Sequence, residues 1–144
     1  MTAREGWLLG GRVRHDQLAD GHRSGIEPVL LAASIPARPG ARVLEGGTGA
    51  GAALLCLAAR VAGIGGVGLE RDAAQAALAR RNIAANGFGG LAVMEGDIAA
   101  LRPEGVFDHA FANPTSARYD EADAKLAWER TTGFLARHLP VAKA

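Results

Sequence analysis

Apolar and polar positions along this chain change period at residue 41. From there on, short apolar runs alternate with longer stretches of helical length. ARVLEG (41–46), GGVGLE (65–70), LAVMEGD (91–97) and GVFDHAFAN (105–113) are the short runs, and they predict four strands. GAALLCLAARVAG (51–63) and DAAQAALARRNIAANG (72–87) stand between the first three and predict helices. Asp72 is placed to cap the second of these helices and Gly87 to end it. YDEADAKLAWERTTGFLARHL (119–139) predicts a closing helix, with acidic residues at the end where the helix dipole favours them. Strands separated by helices predict βαβ units and a parallel sheet. The fold class is therefore α/β, doubly wound, with helices flanking the sheet.

Ahead of residue 41 the pattern differs. WLLGGRVRHDQL (7–18) places Gly10-Gly11 between two strand-like runs and predicts a hairpin. SGIEPVLLAASI (24–35) predicts a helix, with Ser24 and Glu27 spaced as in a capping box and Pro28 in the first turn. PARPG (36–40) closes it. Residues 1–40 are expected to form a hairpin-and-helix extension on an α/β domain spanning 41–144.

Composition narrows the class without naming a chemistry. With 144 residues, 49% apolar and 22% charged, the chain suits one globular domain with its own core. A net charge of +1 argues against strong non-specific binding to polyanions. It leaves room for a local basic patch, of which Arg12, Arg14, His22 and Arg23 form the densest. The lone Cys56 lies in an apolar helical stretch, so core packing and a reducing compartment are expected. The N-terminus lacks the apolar stretch of a signal peptide, and the longest apolar run is interrupted by Arg60. A cytoplasmic protein without a membrane partner is the expectation. His15, His22, His109 and His138 are dispersed without ligand spacing, so no metal site is expected. Trp7 and Trp128 are assigned to packing or to an interface.

In an open parallel sheet the ligand lies beyond the carboxyl ends of the strands. The residues closing each predicted strand therefore carry the chemistry. The first strand closes on Glu45-Gly46-Gly47-Thr48-Gly49-Ala50-Gly51. Gly47-x-Gly49-x-x-Ala52 fits the dinucleotide fingerprint. Glu45 followed by Gly47, Gly49 and Gly51 also fits the turn of S-adenosylmethionine enzymes, where a carboxylate accepts from the cofactor's ammonium. The second strand closes on Glu70, about twenty residues past the glycines, where either cofactor needs a carboxylate for its ribose hydroxyls. The third closes on Gly96-Asp97-Ile98, in which Asp97 can accept from an exocyclic amine and Ile98 can pack on a purine face. The fourth closes on Asn113-Pro114, a side-chain carbonyl and a main-chain carbonyl held rigid by the proline ring. Two such acceptors suit a planar NH₂ group and favour its lone pair turning toward an electrophilic methyl. A nicotinamide enzyme has no evident use for them, and this ending decides for S-adenosylmethionine.

The glycine turn, Glu70, Asp97 and Asn113-Pro114 together resemble the class I S-adenosylmethionine-dependent methyltransferases, in the branch that methylates amines. The stretch VRHDQLADGHRSGIEPVLLAASIPARPGARVLE is similar to the bacterial tRNA adenine-N6 methyltransferase family, with matching residues at Gln17, Gly21, Arg23, Gly25 and Glu27. The resemblance implies a Rossmann-like fold and methyl transfer to an exocyclic amine, adenine N6 in tRNA or another RNA. Carried over by position, it implies that Glu45, Gly47, Gly49 and Gly51 line the methionine end of the cofactor. Glu70 would take the ribose, and Asp97 with Ile98 the adenine. Asn113 and Pro114 would hold the target amine as the catalytic pair, and Arg23 would contact the RNA.

The chain departs from that family in three places. The family's Asp-Leu-Gly-Cys-Gly-x-Gly stands here as Glu45 to Gly51, and its Asn-Pro-Pro-Tyr as Asn113-Pro114-Thr115-Ser116. Tyr119 is the candidate to replace the aromatic that stacks on a flipped base. The family also continues through further strands, so C-terminal strands are expected to be missing and the fourth strand to be an exposed apolar edge. Such an edge predicts a homodimer through it, or cover by the C-terminal helix. Three other readings stay open: a NAD-binding oxidoreductase, a methyltransferase of a different amine in rRNA or protein glutamine, and a non-catalytic binding module.

Overall fold

The computed structural model describes residues 2–20, 23–112 and Glu129. The closing helix expected over 119–139 lies outside the described residues apart from Glu129, as does Trp128. The chain opens with a nested hairpin. β2 (Trp7–Leu8) pairs antiparallel with β3 (Val13–Arg14), and further out β1 (Ala3–Arg4) pairs with β4 (Gln17–Leu18). Gly10 and Gly11 take positive φ in the turn, a conformation that glycine adopts freely. Between the two ladders His15 donates its N–H to the Gly6 carbonyl at 2.8 Å. A side chain at residue 6 would meet that same strand, since a Cβ there would stand 2.6 Å from the His15 oxygen. The hairpin thus reaches back to Ala3, beyond the 7–18 that the apolar pattern marks. Trp7 lies exposed on β2, outside the core.

α1 (Glu27–Ser34) follows, and here the sequence expectation is corrected. Ser24 and Glu27 form no capping box: Ile26 occupies the N-cap position without a side-chain hydrogen bond. Ser24 donates its N–H to Gln17 Oε1 instead, at 2.8 Å. Pro28 sets the start of the helix, because proline is tolerated only in the first turn, and this leaves Ser24 outside it.

The remaining elements come in the predicted order. They are β5 (Arg42–Gly46), α2 (Ala52–Arg60), β6 (Gly65–Glu70), α3 (Ala73–Ala85), β7 (Leu91–Glu95) and β8 (His109–Ala112). The four strands form one parallel sheet in the order β7-β6-β5-β8. Asp72 caps α3 by accepting from the Gln75 N–H at 2.9 Å, and Gly87 follows its end at a positive φ. Both roles match the sequence expectation.

Alternation along β5 feeds two cores. Val43 packs with Leu54, Leu55 and Leu57 of α2 and with Ala76, Ala79 and Ile83 of α3. Leu44 packs on the other face with Val67, Leu69 and Phe107, against which Ile98 and Leu101 rest. α2 has no polar face over Ala52–Leu57 because it lies between the sheet and α1, with which it makes extensive contact. Cys56 belongs to this core, and burial pushes its thiol up to about 11. Arg60, in the last turn of α2, donates Nη2–H groups to the Ala32 and Ile35 carbonyls at 3.0 and 2.5 Å. It thereby satisfies the C-terminal carbonyls of α1, which has no basic residue of its own there. Among the described residues no helix is long and apolar enough to cross a membrane.

Candidate functional site

The chain runs outward from β5 through β6 to β7, then returns to the other side of β5 for β8. Strand order therefore reverses at β5, and the crevice beyond its carboxyl end is the place where such sheets bind ligands. A cavity of about 210 Å³ opens there. One wall is the glycine turn, with Gly47, Thr48, Gly49 and Ala50, leading into Ala52 and Ala53 of α2. The opposite wall is built by the N-terminal extension, with Gln17 and Leu18 of β4 and Ser24, Glu27 and Pro28 at the start of α1. Gln75 of α3 closes one side, and Glu45 lies at the base of the turn. Two lining residues carry carboxyl groups, Glu27 and Glu45, and none of the lining residues is basic.

The turn is shaped by its glycines. Gly47, Gly49 and Gly51 all have positive φ, at 67°, 56° and 91°, a region that side chains disfavour. Thr48 points back under the sheet and is buried, its Oγ1–H donating to Glu45 Oε2 at 2.6 Å. Room for Thr48 comes from Gly68 on β6, where a Cβ would stand 2.7 Å from Thr48 Cγ2. Glu45 is only 2% exposed. Burial pushes its carboxyl up to about 7, and the nearby Glu70 adds to the shift. The Thr48 hydroxyl and the Leu54 N–H hold it partly back.

Glu70, at the end of β6, accepts from the Gly49 N–H at 2.8 Å through Oε2 and from the Asp72 N–H at 2.9 Å through Oε1. It thus braces the glycine turn from the next strand, and its half-buried carboxylate keeps lone pairs for further donors. Gly51 starts α2 rather than lining the cavity. Asp97 and Ile98 follow the end of β7 outside the cavity lining. Asp97 Oδ1 accepts from the Ala99 N–H at 2.8 Å, and a Cβ on Gly46 would stand 2.7 Å from Ile98 Cδ1. Arg23 is exposed near the N-terminal wall. Asn113, Pro114 and Tyr119 lie outside the described residues.

The structure therefore brings Glu45, Gly47 and Gly49 to one cavity and ties Glu70 to it. It adds residues to which the sequence reading gave no site role. Gln17 and Glu27 stood in the N-terminal pattern, so a signal existed for them. Gln75 had none, because its place depends on how α3 is rotated against the sheet. Among the described residues no cluster of three or more His, Cys, Asp or Glu side chains could hold a metal ion.

No protein-family model matches the chain, and no curated protein matches it. Solved structures do. The SAM-dependent methyltransferase from Thiobacillus denitrificans, in complex with S-adenosyl-L-homocysteine, superposes with a TM-score of 0.63 at 26% identity over 81% of this chain and 44% of that one. The fold is the Rossmann-like fold of a methyltransferase. TrmN from Thermus thermophilus matches with a TM-score of 0.63 at 27% identity, over 76% of this chain and 33% of that one. YjhP from E. coli shares the fold with a TM-score of 0.64 at 22% identity, over 81% of this chain and 45% of that one. The chain spans less than half the length of each of these structures.

Proposed function

We propose that this chain binds S-adenosylmethionine in the cavity over β5 and transfers its methyl group to an exocyclic amine, adenine N6 of a tRNA. The observation that carries the reading is the charge of the cavity: Glu27 and Glu45 line it without a basic residue. A cationic ligand suits such a site, whereas the pyrophosphate of NAD would bring negative charge against two carboxyl groups. The buried Glu45, with a carboxyl pushed up to about 7, is a group that an ammonium would relieve. The similarity of the fold to a methyltransferase solved with S-adenosyl-L-homocysteine supports the same cofactor.

In this reading Glu45, Gly47 and Gly49 would hold the methionine end, Gly51 would set the start of α2 behind them, and the free N–H groups there would face its carboxylate. A cavity of about 210 Å³ is smaller than the roughly 300–1,000 Å³ of whole-ligand pockets, so it takes one end of the molecule. Glu70, at the end of β6, would take the ribose hydroxyls, and Asp97 with Ile98, following β7, would hold the adenine. When bound, S-adenosylmethionine supplies an electrophilic methyl group. Asn113 and Pro114 follow β8 directly in the chain, and their carbonyl oxygens accept the hydrogens of the target amine. Positioning of the nitrogen in line with the methyl is their contribution to rate. Arg23 contacts RNA phosphate, and Tyr119 stacks on the extruded base.

Calorimetric titration with S-adenosylmethionine, S-adenosylhomocysteine and NAD tests the cofactor. Both adenosyl compounds are expected to bind and NAD is not; preference for NAD, or no binding of either adenosyl compound, overturns the reading. Asn113→Ala is expected to abolish methylation of tRNA while cofactor affinity is kept.

A further inference from the structure

Resting on the cavity as a cofactor site, we infer that Asn82 is a positioning residue that fastens the N-terminal wall of the cavity to the glycine turn. Two asparagines, Asn82 within α3 and Asn86 at its C-cap, face the N-terminal segment. Asn86 Oδ1 accepts from the Arg14 N–H at 2.9 Å, and its Nδ2 donates to the Arg14 carbonyl at 2.7 Å. Asn82 repeats the pattern two residues further along the extended segment. Its Oδ1 accepts from the Asp16 N–H at 3.0 Å and its Nδ2 donates to the Asp16 carbonyl at 2.9 Å. Four residues along a helix advance about 6 Å, and two residues along an extended strand advance about 6.6 Å. Side-chain amides at i and i+4 therefore meet alternate backbone units of an extended segment, as a neighbouring strand would. The helix offers the hairpin a substitute edge.

The two asparagines differ in their second amide hydrogen. That of Asn86 returns to its own helix, to the Asn82 carbonyl at 2.8 Å. That of Asn82 goes to the Ala50 carbonyl of the glycine turn at 2.9 Å. Asn82 is 1% exposed and its two bonds to Asp16 are buried, so no water replaces them when the amide is lost. Asp16 is bound besides by Arg14 at 3.1 Å and by Arg81 at 4.0 Å, but neither arginine reaches the turn. Among the described residues no other hydrogen bond joins segment 14–18 to residues 46–51. Gln17, the residue after Asp16, and Ala50 stand in facing walls of the cavity. One buried amide thus sets the register between them.

Wild type, Asn82→Ala and Asn86→Ala separate positioning from general support, because both asparagines clamp the segment and only Asn82 holds the turn. Both variants are expected to lower the melting temperature. In ligand-free protein, only Asn82→Ala is expected to speed hydrogen exchange at the Gly49 and Gly51 amides, by about tenfold relative to other core amides. Only Asn82→Ala is expected to weaken S-adenosylhomocysteine binding, again by about tenfold. Equal effects of the two variants, or unchanged Gly49 and Gly51 exchange in Asn82→Ala, overturn the inference. Should wild type not bind S-adenosylhomocysteine, the proposed function fails, and the exchange comparison alone decides the role of Asn82. Asn82→Ser, which keeps a hydroxyl for one acceptor, replaces Asn82→Ala if the latter does not fold.

Discussion

Thr48 and Glu45 are the pair on which the chemistry of the cavity turns. The 2.6 Å hydrogen bond between them supports a carboxylate that burial otherwise drives toward its neutral form. Thr48→Val removes that donor, so the Glu45 titration is expected to move above its present position near 7, read by carboxyl NMR. The ammonium group of the bound ligand favours ionised Glu45. Affinity for S-adenosylhomocysteine is therefore expected to rise from about pH 6 to about pH 8 in wild type. In Glu45→Gln that rise is expected to vanish, leaving binding about tenfold weaker than wild type at about pH 8 and close to it at about pH 6, by calorimetry. An affinity that stays flat with pH in wild type refutes the assignment. At this scale the acidic group at the end of the first strand was legible from the spacing Glu45, Gly47, Gly49, Gly51. Its bond to Thr48 was not, because the side chain of a turn residue is aimed by three positive-φ glycines and by the gap at Gly68.

Elements were legible where a local period ran long enough. The apolar runs located all four parallel strands, and GGVGLE coincides with β6 over Gly65–Glu70. α1 was misjudged at its start, since Ser24 and Glu27 satisfy the capping spacing while Pro28 imposes a later first turn. The hairpin was seen only in part, because its outer ladder resumes across Gly6 and His15, where no alternation signals it. Small residues within β6 matter as much as its apolar ones. Gly68→Ala would set a Cβ against Thr48, which is held by both Glu45 and the turn. It is expected to destabilise the fold by about 1–3 kcal/mol, measured by urea unfolding. A change below about 0.5 kcal/mol would show that Thr48 yields freely.

Across the whole molecule, two buried titratable groups set opposing pH dependences. His15 is fully buried, and neither ring nitrogen has a hydrogen-bond partner among the described residues. Burial lowers its pKa to about 4, with Asp16 partly opposing, against an ordinary value of 6.5. The unfolded chain takes up that proton first, so the stability His15 provides is lost as pH falls from 6.5 to about 4. Glu45 acts in the other direction. Its pKa is about 7 in the fold against 4.5 ordinarily, so its contribution is complete below 4.5 and is lost as pH rises through 7. Between 4.5 and 6.5 the two slopes offset each other. Wild type is expected to unfold in urea at similar midpoints at pH 5 and 6.5. Glu45→Gln should then lose stability on acidification, and His15→Phe on raising the pH; parallel behaviour of all three proteins would count against both assignments.

Short-range spacing settled the four parallel strands, α2 and α3, the capping of α3 by Asp72 and the acidic glycine turn after β5. Each depends on residues a few positions apart, and local backbone geometry converts such spacing into shape. Packing settled the rest. The strand order β7-β6-β5-β8 puts the glycine turn at the point of reversal. The N-terminal extension becomes a cavity wall through Asn82, whose bonds span 66 residues to Asp16 and 32 to Ala50. No local period encodes partners so far apart along the chain. They meet because α3 is buried against the sheet in one rotation, and that rotation brings Asn82 to the backbone of Asp16 and Ala50.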